Sequence, residues 1–509
     1  MIESKGIIME NPIMKCDYPD PDVIRVNDTY YMLSTTMHYF PGGAILRSYD
    51  LMNWELVSYL YDVLEDTEAA RLADNRGIYG QGMWAPCLRY HAGTFYVCFV
   101  ANDVHKTYLF YTTDIEGSWK RQEIEGFYHD ASLLFDEDRV YIVYGNTEIY
   151  ITELKPDLSG PLEGGLHRLL LKDTGKIRLG YEGTHIYHIN GKYYLFFIHW
   201  PDTGSQRRTQ ACFVSDSLTG EFQGRDVLDD DMGFHNRGIA QGGIVDTPDG
   251  GWFAILFQDS GAVGRIPVLI PISFEDDFPV FGAHGVVPRE IHLPSLRPEH
   301  SYEPLFTSNF TDNDGNLNLQ WQWNHQPDPA LYKLSSTAYT IQTDKLSTNI
   351  AQAVNTLTQR TRFPQTKVSV TLDASQLKDG DVAGLCAFQS SYAHLAVTME
   401  DQKYFLILTE RNVGEISQNM TDKDTLPGNE TFRIPLDGPV ISLCMTADFT
   451  DMKDKVQFSY QKDGNWHPVG ASHKLAFTLD HFTGCRAALF MYSTKITGGS
   501  CTFSDFHYY

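Results

Sequence analysis

The chain of 509 residues contains no stretch that approaches about 18 consecutive apolar residues, so the sequence predicts no membrane-spanning helix. Basic residues are few, since 40 Lys and Arg stand against 65 Asp and Glu and give a formal net charge of −25. An acidic surface repels phosphate backbones and anionic membranes, so neither nucleic acid nor a membrane is expected as a partner. No basic segment followed by an apolar one opens the chain, which predicts a cytoplasmic protein.

Paired cysteine motifs are also missing. The eight cysteines are scattered and none lies in a CxxC pair, which favours buried, reduced thiols over a disulfide framework or a zinc site. The sequence has no HExxH motif, so zinc-dependent hydrolysis is not indicated. It has no GxGxxG motif or phosphate-binding loop either, so we expect no nucleotide cofactor.

Aromatic residues are abundant at 13% of the chain, and many belong to a repeated pattern. An apolar run, a tight polar turn and an aromatic residue opening a second apolar run recur five times, at 22–35, 85–100, 131–145, 183–200 and 242–257. Turns such as Asn190-Gly191 and Asp249-Gly250 are typical of β-hairpins, because Asn, Asp and Gly tolerate positive φ. Repeats of about fifty residues match the blades of a β-propeller.

The sequence therefore predicts an all-β protein with two domains. Residues 1–300 form a five-bladed β-propeller, with a linker that starts at about residue 283 and contains Pro288, Pro294, Pro298 and Pro304. Residues 301–509 alternate polar and apolar positions with period two, which indicates a jelly-roll-like β-sandwich. Trp321 and Trp323 are interpreted as core residues of the sandwich, with stacking on a polysaccharide as the alternative.

Acidic residues precede three of the five repeats. Asp20 comes before the first hairpin, Asp130 before the third and Glu182 before the fourth, and each is expected at the same phase of its repeat. The innermost strands of a propeller converge on a central channel, so these carboxylates are predicted to face one cavity. Each alone is also explained as a turn former or a solvated loop residue. Two carboxylates on opposite sides of a glycosidic bond are what glycoside hydrolysis requires.

Six motifs, in order along residues 11–282, resemble glycoside hydrolase family 43. They are Asn11-Pro12 with Tyr18-Pro19-Asp20-Pro21-Asp22 and Tyr30-Tyr31, Met83-Trp84-Ala85-Pro86, Asp130-Ala131-Ser132-Leu133, Tyr181-Glu182-Gly183-Thr184-His185, Gly264-Arg265 and the closing segment 272–282. The resemblance implies a five-bladed propeller and inverting β-xylosidase or α-L-arabinofuranosidase chemistry. It also implies that the sandwich is the accessory domain of the xylosidase-type members.

Carried over by position, the resemblance assigns roles to the three acids. Asp20 would be the general base that activates water, Glu182 the general acid, and Asp130 the residue that tunes and orients the acid. Inversion predicts that the carboxyl groups of Asp20 and Glu182 lie roughly 6.5–9.5 Å apart, leaving room for the water.

The same resemblance suggests residues that bind the sugar. Arg265 would bind sugar hydroxyls, and Trp84, with its neighbour Ala85, would form a wall of the sugar subsite. Phe40 resembles a pocket aromatic, and His38 is a candidate substrate contact. Core packing is the alternative for Trp84, Phe40 and His38, and a surface position for Arg265.

Two positions depart from the family pattern. Gln241 replaces a histidine that often contacts a metal or water in the channel, so a structural Ca²⁺ ion there is a weaker expectation, and no cofactor is required. Met37 stands where the xylosidases often have an aromatic residue.

The predicted function is an inverting, exo-acting glycoside hydrolase that releases xylose or arabinose from xylan- or arabinan-derived oligosaccharides of the plant cell wall. The alternatives are a non-catalytic glycan-binding propeller and an endo-acting arabinanase or other pentosan hydrolase. The expected partner is a small oligosaccharide. The oligomeric state, including a homo-oligomer, stays open.

Overall fold

The structure is a computed structural model that describes residues 7–412 and 426–509. The all-β prediction is confirmed, because the helices within these residues are five single 3-10 turns: Ala73–Asn75, Gly261–Val263, Pro329–Leu331, Ile350–Gln352 and Thr450–Met452. None of the helices in the described part of the chain is long and apolar enough to cross a membrane.

The first domain is a five-bladed propeller, as predicted. Each blade is an antiparallel sheet, and in blades 2 to 4 each strand pairs with the next one along the chain. In blade 1 the segment Tyr39–Phe40 interrupts this order, and in blade 5 both Ile239–Ala240 and Ile244–Asp246 pair with Trp252–Asp259. Blade 1 contains Asp22–Val26, Thr29–Ser34, Gly42–Ser48 and Glu55–Tyr61, and blade 2 contains Met83–His91, Thr94–Ala101, Lys106–Thr112 and Lys120–Ile124. Blade 3 contains Ser132–Asp136, Arg139–Asn146, Glu148–Leu154 and His167–Lys172, and blade 4 contains Ile177–Ile189, Lys192–Pro201, Thr209–Ser215 and Gln223–Leu228. Blade 5 contains Ile239–Ala240, Ile244–Asp246, Trp252–Asp259, Arg265–Glu275 and Phe278–Phe281.

The five repeated segments are the inner hairpins of the five blades. In blade 4, for example, Ile189 pairs with Lys192 across the turn at Asn190 and Gly191, both of which have positive φ. The buried side chains of these hairpins pack between blades, as in the cluster that joins Ile186 and Phe197 of blade 4 to Val143 of blade 3. Hairpin turns and alternating burial together account for the repeat that is visible in the sequence.

The ring of blades is closed by side-chain and backbone hydrogen bonds. Asn11 donates its Nδ2 to the carbonyl oxygens of Leu269 (2.8 Å) and Pro288 (2.7 Å), and its Oδ1 accepts the Leu269 N–H at 3.1 Å. The Gly243 N–H of blade 5 donates to Pro21 O at 2.9 Å, just before blade 1. Within the predicted linker, the strand Glu290–Leu293 pairs with Ile7–Glu10, so part of the linker is ordered against the N-terminal segment.

The second domain is a two-layer β-sandwich, in agreement with the prediction. One sheet has the strand order Asn429–Leu436, Lys403–Glu410, Ala393–Glu400, Asp381–Phe388, Arg486–Ser493, Leu357–Arg360, Gln322–Asn324 and Tyr39–Phe40. The other has the order Tyr332–Leu334, Ala338–Gln342, Ser500–Tyr508, Gln365–Asp373, Val440–Asp448, Lys455–Lys462 and Asn465–Lys474. Trp321 and Trp323 are buried in the core between the sheets, as interpreted from the sequence.

The two domains share a sheet and a buried interface. Tyr39–Phe40 belongs to the propeller part of the chain but forms the edge strand of the first sandwich sheet, where Phe40 is paired with Trp323. All eight cysteines are buried and free, which confirms the expectation of reduced thiols.

We predict that Asn11→Ala weakens the closure of the ring. The change removes three hydrogen bonds at about 1 kcal/mol each, so the propeller should lose about 2–3 kcal/mol of stability, measured as a lower midpoint of thermal unfolding. Asn465→Ala, at an exposed hairpin turn of the sandwich, is the control and should leave the midpoint nearly unchanged. An unchanged midpoint for Asn11→Ala would show that Asn11 does not close the ring.

Candidate active site

A cavity of about 340 Å³ opens at the end of the propeller channel. It is lined by the three predicted carboxylates and by residues of both domains: Asp20, Met37, Trp84, Ala85, His129, Asp130, Arg178, Leu179, Glu182, Trp200, Arg208, Gln241, Arg265, Leu479 and Phe482. Its volume is at the lower end of the range for small-molecule sites in proteins.

One residue at the entry to each blade has a left-handed backbone beside the channel. Their φ angles are 51° at Asp20, 34° at Ala85, 48° at Asp130, 64° at Gly183 and 58° at Gln241. Asp20 and Asp130 therefore occupy equivalent positions, whereas Glu182 lies one residue before the equivalent Gly183. This corrects the expectation that all three acids share one phase of the repeat.

Asp20 is buried against an arginine. Its Oδ1 accepts a hydrogen bond from Arg265 Nη1 at 3.0 Å, and both side chains are nearly inaccessible to solvent. The pKa of Asp20 lies above its ordinary value, because burial outweighs the Arg265 charge and a hydrogen bond with Thr35, which both lower it. The ion pair favours the ionised carboxylate, which is the form that can accept a proton from water.

Asp130 is fixed by the backbone of blade 4. Its Oδ2 accepts the Gly183 N–H at 3.0 Å. Burial is the largest cause that raises the pKa of Asp130 to about 6; the nearby Glu182 carboxylate adds to the increase, and His129 opposes it. Asp130 and Glu182 thus interact electrostatically at close range, as the family role of Asp130 requires.

Glu182 lies in an irregular part of a long strand. In Ile177–Ile189 the register with the neighbouring strand shifts on both sides of Glu182, and such bulges redirect side chains. Glu182 Oε2 accepts a hydrogen bond from Asn146 Nδ2 and lies 3.6 Å from His129 Nε2. The following Gly183 is needed because a Cβ there would come within 2.6 Å of the Gln241 side chain.

Trp84 and Ala85 lie on the blade 2 side of the cavity, and their role as a wall of the sugar subsite stays a prediction. Trp84 Nε1 donates to Gly80 O at 3.0 Å, which fixes the orientation of the indole. The Ala85 N–H donates to Thr35 Oγ1 at 3.0 Å, and the register of blade 2 shifts between Trp84 and Cys87. The two consecutive residues therefore both line the cavity.

The sandwich completes the cavity through the loop that contains Leu479 and Phe482. Arg265 Nη2 donates to Phe482 O at 3.2 Å, and the Arg265 guanidinium lies 4.5 Å from the centre of the Phe482 ring. The same ring contacts Trp84 edge-to-face at 5.5 Å. The Leu479 side chain is exposed at the rim.

Asp17 holds this loop against blade 5. Its Oδ1 accepts the Arg265 N–H at 2.7 Å, and its Oδ2 accepts the Gly484 N–H at 2.8 Å. One buried carboxylate therefore bonds to the backbone of both domains next to the cavity.

Several lining residues were not predicted from the sequence. Trp200 lies between two guanidinium groups, with Arg178 at 5.7 Å and Arg208 at 5.3 Å from its ring. His129 lies between Asp130 and Glu182. The sequence signal that could have indicated His129 was its position directly before the Asp130 motif. No sequence signal indicated Phe482, because it lies in a loop of the other domain.

Phe40 and His38 are corrected, because neither lines the cavity. Phe40 is buried in the core of blades 1 and 2, where it packs edge-to-face on Tyr61 at 6.2 Å. His38 is fully buried between the domains, with its ring 5.2 Å from His325 and 5.0 Å from His481. Burial holds the pKa of His38 well below its ordinary value, so the ring is neutral.

Gln241 lies beside a space of about 10 Å³ in the channel, which is about the size of one water molecule. Calcium takes six to eight oxygen ligands. The side chains around this space that carry oxygen donors are Asp20, Asp130, Thr184 and Gln241. A calcium ion at this place stays a prediction.

Family models match both halves of the chain. The model described as glycosyl hydrolases family 43 matches residues 9–279, and the model described as the beta xylosidase C-terminal concanavalin A-like domain matches residues 308–509. The chain belongs to glycoside hydrolase family 43. It is therefore a glycoside hydrolase, and the family resemblance found in the sequence motifs is confirmed.

Individual relatives agree with the family. The chain is 25% identical to a beta-xylosidase of Formosa agariphila, over 96% of this chain and 88% of that protein. It is 26% identical to a non-reducing end alpha-L-arabinofuranosidase of Bacteroides ovatus, over 86% of this chain and 83% of that protein. A solved structure described as a bifunctional GH43-CE protein of Bacteroides eggerthii superposes with a TM-score of 0.88 at 42% identity. The superposition covers 98% of this chain and 63% of that protein.

We predict that Phe482→Ala impairs the hydrolase although the residue lies outside the catalytic domain. Loss of the ring removes the contacts with Arg265 and Trp84 and opens the cavity to water, so KM should rise several-fold and more than kcat falls. Steady-state kinetics on an aryl glycoside measures the change. Phe405→Ala, in the sandwich but not among the residues that line the cavity, is the control, and equal effects of both variants would argue against a role of Phe482 in the site.

Proposed function

We propose that this hydrolase removes a terminal xylose or arabinose from short plant cell-wall oligosaccharides with inversion at the anomeric carbon. The observation that carries the proposal is that the two carboxylates, Asp20 and Glu182, line one cavity but have different surroundings. Asp20 on blade 1 is paired with Arg265, whereas Glu182 on blade 4 is adjacent to the second carboxylate Asp130.

The two environments suit a base and an acid. The Arg265 charge favours ionised Asp20, which can take a proton from the attacking water. Glu182 lies beside the negative charge of Asp130 and can protonate the glycosidic oxygen as the bond breaks. One proton leaves water for Asp20 and one leaves Glu182 for the departing sugar. A carboxyl separation of about 6.5–9.5 Å remains the geometric prediction for this single displacement.

The shape of the cavity supports exo action. The propeller alone would present an open end, but Phe482 and Leu479 from the sandwich add a wall beside Arg265 and Trp84. A pocket walled by two domains accepts the end of a sugar chain more readily than its middle. The names of the relatives, beta-xylosidase and non-reducing end alpha-L-arabinofuranosidase, agree with a terminal pentose.

The polar groups of the site suit a neutral sugar. The Arg265 charge is balanced by Asp20, and Arg178 and Arg208 pair with Asp202 and Asp259. The Trp84 ring offers an apolar face for a sugar ring. Cytoplasmic location, a small oligosaccharide as the partner and the oligomeric state stay as predictions.

We expect wild-type protein to hydrolyse 4-nitrophenyl β-D-xyloside or 4-nitrophenyl α-L-arabinofuranoside. Glu182→Ala and Asp20→Ala should each lower kcat by at least about a hundredfold, because each removes one proton-transfer group. NMR of the first product should show the inverted anomer, and azide should yield no product of retained configuration. Glu163→Ala, at an exposed glutamate of the same domain, is the control.

The outcomes separate the parts of the proposal. Inactivity of wild type on all pentosides would overturn the substrate class. Full activity of Asp20→Ala would overturn the assignment of Asp20 as the general base. A first product with retained anomeric configuration would overturn the single-displacement mechanism.

We predict that Asp130→Asn narrows the pH range in which the enzyme is active by lowering its alkaline limit. The neutral amide removes the negative charge that Asp130 places beside the general acid, so the alkaline limb of kcat/KM should move to lower pH. The measurement is a pH–rate profile of Asp130→Asn against wild type, with exposed Asp138→Asn as the control. If the alkaline limb does not move in Asp130→Asn, Asp130 has no influence on the general acid.

A further inference from the structure

His129 occupies the same position in blade 3 as Glu182 in blade 4 and Trp84 in blade 2. Each of the three residues comes directly before the left-handed position of its blade, namely Asp130, Gly183 and Ala85. In a regular strand, consecutive side chains point to opposite faces. The left-handed backbone interrupts this alternation, and both His129 and Asp130 line the cavity.

The imidazole of His129 lies between the two acidic groups. Nε2 is 3.7 Å from Asp130 Oδ2 and 3.6 Å from Glu182 Oε2, and the side chain is 26% exposed. The His129 carbonyl accepts the Gly145 N–H at 3.0 Å, which fixes the backbone at this point. The ring thus lies close to both carboxylates, and its backbone is held in place.

The groups that face His129 come from three blades. Blade 2 contributes the uncharged Trp84 ring at 6.2 Å. Blade 3 contributes Asp130 and also Asn146, which donates to Glu182, and blade 4 contributes Glu182, with the Arg208 charge near it. Burial lowers the pKa of His129, but the two carboxylates outweigh it and raise this pKa to about 9. The ring is therefore an imidazolium ion at neutral pH.

We propose that His129 is a positioning residue for the general acid: its imidazolium ion holds the carboxyl groups of Asp130 and Glu182 on one side of the cavity and counters the negative charge that Asp130 places beside the acid. The inference rests on the proposed role of Glu182 as the acid. Asp130 and His129 carry opposite charges beside the same acid, so together they set the position of the alkaline limb of the pH–rate profile.

The first test is His129→Gln, which keeps a hydrogen-bond donor but removes the charge. The change removes the positive charge beside the general acid, so the alkaline limb of kcat/KM should move up by about one pH unit, opposite to Asp130→Asn. His129→Lys retains the charge and should return the limb toward its wild-type position. His284→Gln, at an exposed histidine, is the control.

The results are decisive in either direction. A limb that stays in place or moves to lower pH in His129→Gln would overturn the inference, since a merely structural role predicts loss of rate without an upward shift. Any glycoside that the wild type hydrolyses serves as substrate, so the test does not depend on the pentose assignment.

The second test requires no activity. Proton–carbon NMR of the histidine rings, with the His129 signal assigned by its loss in His129→Gln, gives the pKa of His129 directly. We expect a value well above 6.5 in wild type and a lower value in both Asp130→Asn and Glu182→Gln. An ordinary value in wild type that neither substitution changes would overturn the inference even if the enzyme proves to act on another sugar.

Discussion

The geometry of the site depends on a backbone constraint that is repeated around the channel. One residue at the start of each blade has a left-handed backbone. These five residues line the narrow space below the cavity: Asp20, Ala85, Asp130, Gly183 and Gln241. For residues other than glycine this conformation costs roughly 1–2 kcal/mol, which the surrounding sheets must offset. The benefit is that two consecutive side chains of one blade reach the cavity. Trp84 with Ala85 and His129 with Asp130 are the two clear cases.

A second constraint joins this ring to the sandwich. The Asp17 carboxylate accepts the backbone N–H groups of Arg265 and Gly484, and it requires Gly264, where a Cβ would approach its Oδ1 to 2.4 Å. Arg265 then connects Asp20 to the Phe482 carbonyl. The base, its arginine and the aromatic wall from the other domain therefore form one connected unit, and the orientation of Asp20 depends on both domains.

The sequence predicted what local patterns determine. The hairpins with turns such as Asn190-Gly191 revealed five blades, and the acids before the hairpins, supported by the family motifs, led to Asp20, Asp130 and Glu182. Phe482 and Trp200 were missed because their place at the cavity depends on long-range packing that leaves no periodic signal. Phe40 and His38 were misplaced for a related reason. Their segment leaves the propeller to add an edge strand to the sandwich, and nothing in its local composition reveals this pairing.

The contribution of Phe482 also has a consequence for biosynthesis. Because the chain is made from its N-terminus, all three carboxylates leave the ribosome long before the loop that contains Phe482. A propeller that folds as it emerges would carry the acid and the base without the wall that completes their cavity. The cavity is thus complete only when the last strands of the sandwich have docked, and a chain that ends before Phe482 would lack this wall.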